Sequence, residues 1–263
     1  MIERIAVVTG SNQGLGLDIV KALLGKFDGI IYLTARIPYS GLSAVESLKA
    51  DGFSSDRIKS HQLDINDVKS VQDFRNHLEI HHGGLDILIN NAAFVCMELD
   101  QAKDVIKTNY FGLKRICDAM FGILRPGSRV VNISSDTGLL KNIPNSALRN
   151  KFRNSNLSIL ELDDMIYDFL KCVELNECEE KGWPLDPYVV SKVALGALTR
   201  IQQREMSRKI QDIAINHNHP CYVDTDDGPY PLSTIFAATL PPETNVTGTF
   251  LWKDCTIVDW TLD

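Results

Sequence analysis

No run of about 18 apolar residues, the length a membrane-crossing helix needs, occurs anywhere in the chain. No CxxC pair occurs either. The six cysteines stand apart at 96, 117, 172, 178, 221 and 255, a spacing that suggests neither a zinc site nor a disulfide framework. Reduced thiols in a cytosolic protein are therefore expected. A basic excess is also missing: the net charge is −7 and the 27 lysines and arginines are dispersed, which argues against a nucleic-acid partner. No sequence period of roughly 20–50 residues recurs, so a solenoid is excluded. The opening "MIERIAVVTG" is charged and then β-branched, without the apolar core of a secretory signal. The expected localisation is cytoplasmic, and the N-x-S/T matches at Asn132, Asn156 and Asn245 read as chance rather than glycosylation.

What the chain does have is rhythm. Its 263 residues are 44% hydrophobic, enough for a substantial core. The short β-branched runs "RIAVVTG", "GIIYLTAR", "IKSHQLDI", "LDILINNAA" and "SRVVNISS" alternate with amphipathic segments. Those segments are Gly14 to about Lys26, "SGLSAVESLKADG", "VKSVQDFRNHLEIHH" and "DVIKTNYFGLKRICDAMFGIL". Alternation of this kind signals βαβ units, a parallel sheet and right-handed crossovers. The expected fold is α/β, a doubly wound parallel sheet forming one dinucleotide-binding domain over 1–263. Residues 139–183 break the rhythm, and their apolar spacing predicts a helical insertion too short to bury a core of its own. A helix from about Pro187 to Lys209, a strand near "DIAINH", a looser region and a last strand near "GTFLW" complete the expectation.

Strand one runs into "TGSNQGLG", with Gly10, Gly14 and Gly16 at the turn. A glycine turn between strand and helix lets the backbone approach a pyrophosphate, and the helix N-terminus offers free N–H groups. The spacing is GxxxGxG rather than GxGxxG, so the position after the first strand carries the argument. Strand two ends in "LTAR". An NAD site wants a carboxylate there, whereas Arg36 can pair with a 2′-phosphate, which predicts NADPH. Farther on, "DPYVVSKVAL" places Tyr188 and Lys192 four residues apart on one helix face. A lysine cation near a phenol can lower its pKa toward neutrality.

"TGSNQGLG", "LDI" at 63–65, "NNAA" at 90–93, "KTNYFG" at 107–112, "VVNISS" at 130–135 and "YVVSK" at 188–192 occur in order. Together they resemble the short-chain dehydrogenase/reductase family over about residues 4–225, nearest to the monomeric NADPH-dependent carbonyl reductases. The insertion and the "GWP" ahead of the tyrosine are similar to that branch as well. The resemblance implies a catalytic tetrad of Asn109, Ser135, Tyr188 and Lys192. On chemistry alone Ser134 could serve as well as Ser135; the family pattern favours Ser135. It implies NADPH contacts from Gly10, Asn12, Gln13, Gly14, Leu15, Gly16, Arg36, Asp64, Ile65, Asn90 and Ala92. Tyr188, Lys192, Pro220, Val223 and Thr225 complete that set.

In such a site Tyr188 would donate a proton to the carbonyl oxygen and Ser135 would hold that oxygen. Asn109 would position a water leading from Lys192 to solvent. The partner is a small carbonyl compound: a ketone, aldehyde or quinone. Two other readings stand beside this one: a dehydrogenase for a specific alcohol, or a cofactor-binding protein with little turnover. Two motifs depart from the family. Ala93 ends "NNAA" where glycine is usual, and Cys221 follows Pro220 where glycine is usual. His217 and His219 share one side of an extended segment, but a third metal ligand is not apparent, so no metal is expected. His81 and His82 end a predicted helix, where cations suit the dipole. Helices of the insertion covering the YxxxK helix would block pairing through it, so a monomer is expected.

Overall fold

The structure is a computed structural model that describes residues 3–53, 55–220, 223–225 and 228–262. Ten strands and nine α-helices are found among these residues. β1 (Ile5–Val8), β2 (Ile30–Ala35), β3 (Ile58–Gln62), β4 (Leu85–Asn90), β5 (Leu124–Ile133) and β6 (Ala214–Asn218) form the parallel body of one sheet. β9 (Phe250–Leu251) extends it in parallel beside β6, and β10 (Ile257–Val258) closes that edge antiparallel to β9. The order is β10-β9-β6-β5-β4-β1-β2-β3, so the chain reverses its winding between β1 and β4. Ligands of open α/β sheets bind at that reversal, outside the carboxyl ends of the strands.

Both sheet faces are covered, which is why the central strands read as unbroken apolar runs. Ala6 and Val8 pack with Ile19 and Leu23 of α1 (Gly14–Leu24) and Val45 of α2 (Pro38–Ala50). Ile5 and Val7 pack the other way, with Phe74 and Leu78 of α3 (Val68–His82) and Ile116 and Met120 of α5 (Leu113–Phe121). α5 continues α4 (Ala102–Ile106) through a π-helical turn, Lys107–Gly112. The "NYFG" segment thus lies in a widened turn that helical periodicity does not announce.

The predicted insertion holds α6 (Ser146–Arg153) and α7 (Ile159–Leu175). α7 opens with a capping box, in which Ser158 Oγ accepts from the Glu161 N–H and the Glu161 carboxylate accepts from the Ser158 N–H. Phe152, Leu162, Ile166 and Phe169 pack against Val190, Val193, Ala197 and Ile201 of α8 (Pro187–Met206). Asp163 accepts from Tyr110 Oη at 2.8 Å and pairs with Lys114, which ties α7 to the π-turned helix.

The structure differs from the sequence expectation in three places. The looser region contains a hairpin, β7 (Val223–Thr225) and β8 (Gly228–Tyr230), and a helix, α9 (Leu232–Ala238), that packs on the α1 face. β10 follows the strand expected to be last. His82, the last residue of α3, does not serve the helix dipole as a cation. Tyr32 Oη lies 2.9 Å from His77 Nε2 and 2.8 Å from His82 Nε2, and burial lowers the pKa of both rings, His77 to about 4.

Candidate active site

The turn after β1 is shaped by contacts more than eighty residues away. Asn91 Nδ2 donates to the carbonyls of Thr9 and Gly10, both at 2.9 Å, while Thr9 Oγ1 accepts the N–H groups of Asn91 and Ala92. A Cβ on Gly16 would stand 2.5 Å from that Asn91 amide and 2.6 Å from the Gly10 carbonyl, so only glycine fits. Gly14 takes φ +54°, and a Cβ there would meet no atom within 4 Å, because its missing side chain faces open space. α1 begins with no side-chain cap and no acid in its first turn. Its first N–H groups therefore suit an anion.

This turn opens on a cleft of about 840 Å3 at the winding reversal. Arg36, Asp64, Ile65, Asn91, Ala92, Ala93, Phe94, Ser134, Tyr188, Lys192 and Pro220 all line it. The uncapped helix, the glycine cradle and the exposed Arg36 fit a dinucleotide with a phosphorylated ribose.

Asp186 caps α8, its Oδ1 accepting from the N–H groups of Tyr188 at 2.8 Å and Val189 at 3.3 Å, and Pro187 follows in the first turn. That start sets the register of the helix, so Tyr188 faces the cleft with Lys192 one turn on. Lys192 is 2% exposed, and its Nζ donates to the Ile133 carbonyl at 2.7 Å and lies 5.4 Å from the Tyr188 ring centroid. Burial lowers its pKa to about 8. The phenol moves opposite to the sequence expectation: burial first, then the Asp136 and Asp186 carboxylates, push Tyr188 up to about 12.

A family model described as short chain dehydrogenase matches residues 4–147. The chain is 35% identical to the carbonyl reductase (NADPH) 3 of Homo sapiens over 277 residues, covering 98% of this chain and 99% of that protein. It is also 35% identical to the human carbonyl reductase (NADPH) 1, over 91% of this chain and 92% of that protein. The chain belongs to the short chain dehydrogenase family. Among solved structures, menthone neomenthol reductase from Mentha piperita superposes with a TM-score of 0.85 at 28% identity, covering 96% of this chain and 99% of that one. Salutaridine reductase from Papaver somniferum superposes with a TM-score of 0.82 at 26% identity, over 96% and 100%.

Within this short chain dehydrogenase, Gly10, Asn12, Gln13, Gly14, Leu15, Gly16, Arg36, Asp64, Ile65, Ala92, Tyr188, Lys192 and Pro220 all line the one cleft. Asn90 does not. Its side chain turns inward and donates to Asn132 Oδ1 at 2.8 Å and Cys117 Sγ at 3.3 Å, and the neighbouring Asn91 faces the cleft instead. Asn109 is 2% exposed in the π-helical turn. It exchanges two hydrogen bonds with the Phe94 backbone and donates to Ser191 Oγ at 3.1 Å, so both its amide protons are committed. The structure therefore shows Asn109 fixing the Phe94 wall of the cleft. Ser135 Oγ donates to Asp136 Oδ1 at 2.8 Å. Ser134 is 3% exposed in the cleft wall, and its hydroxyl has no partner among the described residues. Val223 and Thr225 lie in β7, while Cys221 and Tyr222 fall outside the described residues.

His217 and His219 are packed apart. His217 is buried against Phe250 and Trp260, which holds its pKa down to about 3, while His219 stacks on Trp252 with centroids 4.7 Å apart. Asn66, Val95, Lys107 and Thr108 also line the cleft and escaped the sequence reading. Lys107 and Thr108 belong to the quoted "KTNYFG" motif, and that adjacency was the available signal.

Proposed function

We propose that this chain is an NADPH-dependent carbonyl reductase that reduces ketones, aldehydes or quinones. The observation that carries the reading is the meeting of Tyr188 and Lys192 with the glycine turn and Arg36 in one cleft. The named activities of its carbonyl reductase relatives point the same way. NADPH, when bound, supplies the hydride. Tyr188 donates its phenolic proton to the carbonyl oxygen as negative charge grows there. A phenol held near 12 is protonated at neutral pH, so it carries the proton this step needs. Lys192 places its charge beside the phenol and stabilises the phenolate left behind. Ser135 turns its hydroxyl from Asp136 to the substrate oxygen, and Asn109 keeps the Phe94 wall in place. Residues 1–263 act as a single dinucleotide-binding unit. α6 and α7 cover α8, so the working form is a monomer, which light scattering checks.

The test is NADPH consumption against a panel of ketones, aldehydes and quinones, with Tyr188→Phe alongside. Turnover should fall by a factor on the order of 100 or more, the size of general acid catalysis, while NADPH binding is retained. A variant as fast as its parent refutes the assignment of Tyr188.

A further inference from the structure

Where β5 ends, the chain presents a carboxylate beside the reacting groups. Asp136 follows Ser135 directly and is exposed. Its Oδ1 accepts the Ser135 hydroxyl at 2.8 Å and the Thr137 N–H at 2.9 Å. Its own N–H donates to His219 Nδ1 at 3.2 Å. The Ser135 hydroxyl first, then the His219 ring and the Thr137 N–H, hold the carboxylate below its usual pKa, so it is ionised at neutral pH. Burial holds His219 below its ordinary value, so this neighbour is an uncharged imidazole there. Among the described residues no lysine or arginine forms an ion pair with Asp136. Lys192 is tied to the Ile133 carbonyl, and the other carboxylate acting on Tyr188, Asp186, has the same sign.

An unpaired anion here works against the chemistry proposed above. Reduction builds negative charge on the substrate oxygen, and a nearby carboxylate raises the cost of that charge. Local structure does not account for the anion either. An asparagine side-chain oxygen would accept the same hydrogen bonds from Ser135 and Thr137 without carrying charge. A positive charge on the substrate removes the conflict, since it would pair with Asp136 and offset the growing oxyanion. Phe94 and Val95, 39% and 65% exposed in the cleft wall, offer apolar contact to the rest of such a molecule.

We propose that Asp136 is a specificity-determining residue that selects carbonyl compounds carrying an ammonium group close to the carbonyl, and that it disfavours carboxylates. The assignment rests on the reductase reading of this site.

The test uses the full chain loaded with NADPH and three matched aryl ketones, bearing a trimethylammonium, a tert-butyl or a carboxylate group. Kd is read from NADPH fluorescence and kcat/KM from NADPH oxidation, for the parent and Asp136→Asn, at low and high salt. The parent should favour the cation over its neutral isostere by about tenfold, as one partly screened charge pair allows, and should bind the carboxylate more weakly than either. Asp136→Asn should bring the cation-to-neutral ratio close to one, whatever it does to both rates, and salt should shrink the ratio in the parent alone. Equal Kd values for cation and neutral isostere in the parent overturn the assignment, as does a ratio that Asp136→Asn leaves unchanged. Charge-selective Kd values without turnover support the role of Asp136 and refute the reductase reading.

Discussion

Replacing Lys192 with methionine should remove a pH-dependent cost that the protein carries for its active site. The ammonium is 2% exposed, and its pKa falls from 10.5 to about 8 because burial penalises the charged form. At 1.36 kcal/mol per pH unit, that fall corresponds to about 3 kcal/mol of destabilisation at neutral pH. The folded value lies below the unfolded one, so between about pH 8 and 10.5 the unfolded chain binds more protons than the folded one. Stability attributable to this group is therefore lowest below pH 8 and rises through that window. Other groups move the opposite way, since burial raises the Cys117 thiol to about 12 and it resists deprotonation while folded. The informative quantity is thus the difference between parent and Lys192→Met. Urea unfolding at pH 7, 8, 9 and 10 should show the parent gaining about 2.5 kcal/mol relative to the variant, the remainder lying above pH 10. At pH 7 the variant also loses the hydrogen bond to Ile133, at about 1–3 kcal/mol for the orphaned carbonyl, so the absolute difference there is small. Parallel stability curves would show that Lys192 is not desolvated and would refute the argument.

Arg36→Asp should shift cofactor preference from NADPH toward NADH, by repelling the 2′-phosphate and accepting from a free 2′-hydroxyl. Dissociation constants for the two cofactors check this, and an unmoved ratio removes Arg36 from the phosphate site. His77→Gln should flatten the acid limb of the stability curve. The His77 ring is held near 4 by burial first and then by neighbouring imidazoles, so its stability is full above about pH 6.5 and is lost as the pH falls toward 4. Denaturation midpoints at pH 7, 5.5 and 4.5 test that, and an unchanged limb places the acid sensitivity elsewhere.

The parts of the site that could be read from the sequence are those determined locally. The Gly10–Gly16 turn and the Tyr188–Lys192 spacing belong to single segments whose geometry follows from strand-to-helix connection and helical pitch. The choice between Asn90 and Asn91 was not local. Alternate side chains of a strand face opposite ways, so the end of β4 sends one asparagine to Asn132 in the core and the next to the cleft. The sign of the Tyr188 shift also escaped, because it depends first on burial, which the whole fold sets, and then on Asp136, which arrives from the end of another strand. α9 was missed because seven residues after Pro231 are too few for periodicity to assert itself.

The clamp of Asn91 on Thr9 and Gly10 bears on how the protein comes into being. The glycine turn lies within the first twenty residues, yet its carbonyls are gripped by a side chain 81 and 82 positions downstream. A chain emerging from the ribosome therefore cannot finish the cradle when its first helix forms. It must wait for the fourth strand to dock between the first and the fifth. Cofactor affinity should then appear late and all at once during synthesis, and fragments ending before Asn91 should show none of it.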